Sequence, residues 1–270
     1  MRYRWNKNQI EANHPSLLLR YGFSDIYPNK DAKSRLLKKV IEQAKIVANS
    51  QEYKSAYLLY YNTLKKNNKH LDKFLKSYQI KGSLLTGLGD ASVIETSVAL
   101  HNLFGLPFIR GEALKGAIRA LALKKIKHYE NHDKEEWEKA IFKLFGREKD
   151  KNDTNDQGQA GDLIIYDSWW DPNSPNKSPL TLEVETVHHK KYYDSKGYVE
   201  ATDFDDPVPI TQIAITGNFD IYIDFVERYD CLQKTSYANF VFDLMTKALS
   251  KVGLGARVNV GYGRLSNISS

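Results

Sequence analysis

The chain has 270 residues, 41% of them hydrophobic and 27% charged, which excludes a disordered or collagen-like polypeptide and allows one substantial core. A single cysteine, Cys231, excludes an internal disulfide framework, and no apolar run reaches spanning length, so a soluble protein of a reducing cytoplasm is expected. Net charge is +6, and it is uneven: residues 1–80 hold 16 Lys and Arg against 6 Asp and Glu, the rest 23 against 27. A polyanion or an acidic subunit suits that basic first third equally well.

Residues 1–30, punctuated by Pro15, Gly22 and Pro28, read as an irregular arm. From Asp31 the stretch KSRLLKKVIEQAKIVANS sets Leu36, Leu37, Val40, Ile41 and Val47 on one helical stripe, with Asp31 or Ser34 as cap. A second helical stretch, SAYLLYYNTLKKNNKHLDKFLKSY, carries a break near Asn67 and Asn68. YQIKGSLLTGLG then predicts a strand entering a glycine-rich loop. Two helices follow, EALKGAIRALALKKIKHYE and KEEWEKAIFKLFG, the latter stopped at Gly146. REKDKNDTNDQGQAG is a polar surface loop. GDLIIYDSWW, LTLEVETVHH, VPITQIAITG and FDIYIDFV carry strand signals, and the long segment between the second and third predicts a projecting hairpin at about 188–209. A last helix, YANFVFDLMTKALSKV, leads to the glycine-rich end.

The order strand–helix–strand–strand–helix–strand predicts an α+β chain with a ferredoxin-like (RRM-like) sheet. Residues 1–79 are expected to form a helical N-terminal extension packed on a domain of residues 80–270.

Two constellations carry the chemistry. In GLGARVNVGYGRL, Gly253, Gly255, Gly261 and Gly263 surround Arg257, Tyr262 and Arg264. Singly, each glycine is accounted for by a helix cap, a bulge or close packing. Clustered with two guanidinium groups, they also suit a phosphate chain approaching main-chain N–H groups, with Tyr262 stacking on a base or merely packing. A dinucleotide loop is excluded by Val258 at the third glycine position and by the preceding helix, and no P-loop pattern occurs. In GLPFIRGEALKGAIRAL, Arg110 and Gly111 enter a helix whose first turns set Lys115 and Arg119 on one face. An anion at that helix start would be favoured by the dipole, although solvated side chains explain the same residues. Lys190, Lys191 and Tyr192 place cations beside an aromatic ring, as single-stranded nucleic acid requires, or blunt a strand edge.

Together the two constellations resemble the RAMP superfamily of CRISPR proteins. The family's helix-start motif is matched by Gly105, Pro107, Ile109, Gly111, Leu114, Lys115, Gly116 and Arg119, and its terminal G-loop by Gly253, Gly255, Gly261, Tyr262, Gly263 and Arg264. The finer pattern, from GDLIIYDSWW to DDPVPITQIAITG, is similar to the family of sixth subunits of the Cmr complex, the type III-B effector. The resemblance implies a RAMP domain with a thumb-like insertion that binds guide RNA (crRNA) near its 3′ end. It also implies target RNA, the backbone RAMP subunit and a neighbouring RAMP subunit as partners, in the cytoplasm. Backbone subunits of the family cleave with an aspartate, and the matching position here is Glu95, so a non-catalytic subunit without cofactor or metal is expected. The alternatives are a metal-dependent endoribonuclease using Glu95 or the Asp203–Asp206 run, and a type III-A paralogue.

Overall fold

The computed structural model describes residues 13–22, 30–66, 73–89, 96–126, 131–149, 156–187, 192, 194–200, 202, 208–226 and 229–268. Pro15 opens helix α1 (Pro15–Tyr21) where a missing N–H costs nothing, so part of the expected irregular arm is helical. Seven residues are too few to hold a helix in water; the burial of Leu18 and Leu19 does so here. Helix α2 (Lys30–Asn49) begins ahead of both caps expected for it. It buries Leu36, Leu37, Val40, Ala44 and Ala48, spaced by three and four residues over most of that face.

Helix α3 (Gln51–Lys66) packs through tyrosines four apart, Tyr53, Tyr57 and Tyr61. Each buried hydroxyl donates to a fixed acceptor: Tyr53 to the Trp170 carbonyl (2.6 Å), Tyr57 to Asp220 Oδ2 (2.8 Å) and Tyr61 to the Asp220 carbonyl (2.6 Å). Burial pushes all three phenols up from 10.0, and moves Tyr78 up to about 12. Below pH 10 these phenols are neutral whether the chain is folded or not. Above it the unfolded chain loses protons that the folded chain keeps, so stability falls as pH rises. The expected result is a melting temperature that drops steeply above about pH 10, with the buried tyrosines' share of the phenolate absorbance at 295 nm rising only as the chain unfolds.

Strand β1 (Leu75–Lys81) corrects the second helical stretch, whose end lies in a sheet. Ser77 faces α3 through Asp220, whereas Tyr78 reaches Thr246 on the opposite side; that alternation serves a strand between two layers. The chain continues as β2 (Phe108–Ile109), α4 (Gly111–Ile126), α5 (Asn131–Phe145), β3 (Leu163–Ile165), β4 (Ser168–Trp169), β5 (Leu180–Val187), β6 (Val208–Ile215), β7 (Asn218–Phe225), α6 (Cys231–Lys247) and β8 (Arg264–Asn267). Strands β3, β7, β1 and β8 lie in that order, each antiparallel to its neighbour. Helices α4 and α6 cover one face of this sheet and α3 the other.

One hydrophobic cluster joins Leu18 and Tyr57 of the helical extension to Phe219 and Leu265 of the sheet, and β1 itself starts before residue 80. GDLIIYDSWW divides in two: β3 pairs with β7, and β4 turns away to pair Trp169 with Phe108 of β2. Strands β5 and β6 pair from Leu180–Ile215 to Val187–Val208. Leu180, Leu182, Ile213 and Ile215 share one side of that pair, and Glu183, Glu185 and Gln212 the other. Half of the expected hairpin at 188–209 lies outside the described residues. Among the described residues, no helix is long and apolar enough to cross a membrane.

Candidate nucleic-acid interface

The C-terminal loop leaves α6 through a π-type turn, Ala248–Val252, and returns into β8. It is fastened to the segment after β1 by main-chain bonds: Ala256 N–H to Leu85 O and Gly263 N–H to Ser83 O, both 2.8 Å. A further bond closes the loop on itself, Leu254 N–H to Gly263 O at 2.8 Å. These contacts explain the glycines. A Cβ at Gly255 would overlap the Leu85 carbonyl, and one at Gly263 the Leu254 carbonyl, while Val258 crowds Gly253. Only Gly261, at φ +102°, faces open space. The bare backbone therefore serves internal fit at three of the four positions.

Both arginines of the loop have partners inside the chain. Arg257, itself at φ +57°, places Nη2 2.5 Å from Glu185 Oε2, and its side chain is 48% exposed against 6% for Glu185. Gln212 Nε2 donates to the same oxygen at 2.6 Å. Arg264 Nη2 donates to the Val258 carbonyl at 3.0 Å, holding the short 3-10 turn Val258–Val260. Tyr262 leans on Glu183 Oε2 (3.4 Å), and burial followed by that carboxylate's charge raises its pKa. Glu183 also receives Ser83 Oγ at 2.5 Å. Sequence reasoning did not single out Glu183 and Glu185. The alternation LTLEVETV marks both for one side of a strand, but only tertiary pairing shows that this side meets the loop.

At the helix start, Gly111 lies so close to β3 that a Cβ would overlap the Ile165 carbonyl. Its N–H donates to Asp167 Oδ1 at 2.8 Å, so a carboxylate of the chain already occupies part of the anion position at this terminus. Arg110 stays 56% exposed, 3.5 Å from Glu112 Oε1 and 6.0 Å from the Phe108 ring centre. An exposed pair of this kind holds its partner weakly and leaves the guanidinium available. Lys115 is committed: Nζ donates to the Leu163 carbonyl at 2.6 Å, and burial pushes its pKa down against the pull of Asp162. Lys115 and Arg119 open with Arg147 onto a separate hollow of about 380 Å³.

The two motifs nevertheless meet. A trough of about 650 Å³ runs between Leu85–Gly89 after β1, the start of α4, and Leu254–Ala256 of the loop. Gly255 and Arg110 both border it, as does Thr86, whose hydroxyl oxygen is buried without a partner. Gly253, Gly263 and Arg264 do not line it; Gly263 accepts from the N–H of Leu254, which does. Tyr192 is 39% exposed, and its carbonyl accepts from Gly197 N–H. Lys190, Lys191, Glu95 and the Asp203–Asp206 run lie outside the described residues.

The family model of the RAMP superfamily matches residues 77–266, which takes in both bordering motifs and the four-stranded sheet apart from Leu75 and Lys76 of β1 and Asn267 of β8. The chain belongs to the RAMP superfamily. This RAMP protein is 24% identical over 250 residues to the CRISPR system Cmr subunit Cmr6 of Pyrococcus furiosus, with 77% of this chain and 72% of that protein covered. Its fold is similar to a chain in the cryo-EM structure of the type III-B Cmr-beta complex bound to cognate target RNA. That match has a TM-score of 0.62 at 17% identity, over 88% of this chain and 71% of the other. The crystal structure of Cmr6 from Pyrococcus furiosus matches with a TM-score of 0.41 at 23% identity, over 72% and 97% of the two chains.

Proposed function

We propose that this chain is a non-catalytic, cytoplasmic RNA-binding subunit of a type III-B CRISPR (Cmr) ribonucleoprotein. It binds guide RNA near the 3′ end and caps the filament of backbone subunits beside a neighbouring RAMP subunit. The observation that carries the reading is the trough. Two motifs more than 140 residues apart in sequence border one hollow, with the exposed Arg110 on one side and the Gly255 backbone on the other. The Cmr6 relative and the Cmr-beta fold match support the choice of complex. The strand order β3–β7–β1–β8 is the order of a split βαβ sheet, which supports a ferredoxin-like domain.

In this reading the guide's ribose-phosphate chain lies along the trough with a phosphate at Arg110. Sequence is read by base pairing between guide and target, as in RNA-guided effectors generally. Arg257 and Arg264 act first on the loop, and a phosphate reaches Arg257 only by competing with Glu185. Lys190, Lys191 and Tyr192 belong to the thumb-like insertion and touch the guide–target duplex. Lys115 and Arg119 add positive field from the neighbouring hollow. Cleavage is left to other subunits: in an assembled complex, Glu95→Ala keeps every target-RNA product.

Replacing Arg110 by alanine tests the assignment. Guide affinity falls by a similar factor for unrelated spacers, and the slope of log affinity against log salt shrinks by about 0.7, one phosphate's worth for a single strand. Loss confined to some spacer sequences contradicts the reading.

A further inference from the structure

The trough does not end at Arg110. A second hollow, of about 730 Å³, lies between α1 and the segment 97–103, and it shares Ala99, Phe108 and Arg110 with the first. The two adjoin across these residues, one on the side of the C-terminal loop and the other on the side of the N-terminal helix. Its far part is lined differently from its near part. Arg20, in the last turn of α1, is exposed at one side, next to Tyr21, which is 58% exposed. His101 and Phe108 line it from the other, their ring centres 5.9 Å apart and their planes nearly perpendicular, and the volume is within the range that takes a nucleotide-sized ligand.

His101 is held in place and in one tautomer. Its ring lies 5.7 Å from Phe104 and 4.9 Å from Trp169, centre to centre. Nδ1 accepts the Leu103 N–H at 3.3 Å, which assigns the ring proton to Nε2 and leaves that N–H free to donate. Burial lowers the ring's pKa against the opposing charge of Asp167, so the imidazole is neutral at pH 7. A neutral, fixed ring with one remaining donor suits a nucleobase better than a phosphate. The guanidinium of Arg20 suits the phosphate.

The geometry points to a second nucleotide subsite: a single RNA strand seated at Gly255 and Arg110 continues into this hollow, with a base against His101 and Phe108 and its phosphate at Arg20. The inference rests on the RNA-binding reading of the trough, and extends the footprint onto the helical extension.

Fluorescein-labelled oligouridylates of four and eight nucleotides, bound to the full chain and followed by anisotropy, separate the two ideas. The eight-mer is expected to bind about tenfold more tightly than the four-mer, the gain of one further stacked and phosphate-paired nucleotide. Arg20→Ala and His101→Ala each remove most of that gain and leave four-mer affinity unchanged. His101→Phe, which keeps an aromatic ring there, restores the stacking share, and the unchanged four-mer affinity shows that His101→Ala is still folded. Arg110→Ala weakens both oligonucleotides. If the length gain survives in Arg20→Ala and His101→Ala, the subsite is wrong while the trough stands. If neither oligonucleotide binds, or Arg110→Ala changes nothing, the trough reading falls and the subsite with it.

Discussion

Gly263→Ala is expected to lower stability by about 3–4 kcal/mol, whereas Gly261→Ala two residues away costs about 1–2. Both glycines have positive φ, +70° and +102°, so both substitutions strain the backbone. The difference lies in space. A methyl at 263 meets the Leu254 carbonyl oxygen, and the two residues can separate only by breaking the Leu254 N–H bond to the Gly263 carbonyl or the Gly263 N–H bond to the Ser83 carbonyl. A methyl at 261 meets nothing within 4 Å. For a chain of this size the larger loss corresponds to a melting temperature lower by roughly 6–16 °C, readable by calorimetry. Equal shifts for the two variants would refute the account of the loop as a structure clamped on β1's exit rather than a bare phosphate cradle.

Arg257→Ala should cost more than Glu185→Ala, although the two side chains form one ion pair. Removing the arginine leaves a carboxylate that is 6% exposed with only Gln212 Nε2 on it, and an uncompensated buried charge costs about 3 kcal/mol, the low end of the range because Arg257 is half exposed. Removing the carboxylate frees a guanidinium that turns into water, so about 1–2 kcal/mol is lost, chiefly through the stranded Gln212 amide. The double variant Arg257→Ala with Glu185→Gln recovers part of the first loss, because the charge left behind is gone. Urea titrations of the four proteins read all of this. A Glu185→Ala loss equal to or greater than that of Arg257→Ala would contradict it. The order has a practical consequence: a fall in guide binding by Arg257→Ala mixes lost contact with lost stability, whereas Arg110, exposed and weakly paired, reports on RNA alone.

Features local to the chain were legible in the amino-acid order. The stop at Gly146, the entry to α4 at Gly111 and the strands β5, β6 and β7 follow from glycine placement and alternation, and the structure has them. The start of α6 was also written there. Asp230 caps it and Gln233 reaches back, a capping box that places the helix at Cys231, ahead of the expected Tyr237. Other features were not local. The helical pattern through Phe74 and Tyr78 gave way to a strand because β7 and β8 pair with that segment from both sides. β2 and β4 are two residues each and exist only through each other. The candidate interface divides the same way. Its glycines and arginines stood out by clustering, but what each one does depends on partners far along the chain: Leu85 for Gly255, Glu185 for Arg257, Asp167 for Gly111. A carboxylate on a strand carries no mark of the arginine it will meet.

The central claim is that the exit of β1, the start of α4 and the C-terminal loop together hold a ribose-phosphate strand. Photocrosslinking tests it most directly, with 4-thiouridine placed through the 3′ part of the guide in an assembled complex and the crosslinked peptides mapped by mass spectrometry. The account predicts attachment within residues 85–89, 108–113 or 254–256, lost or displaced in Arg110→Glu. Guide crosslinks that map onto this chain only elsewhere, or not at all while neighbouring subunits are labelled, would contradict it.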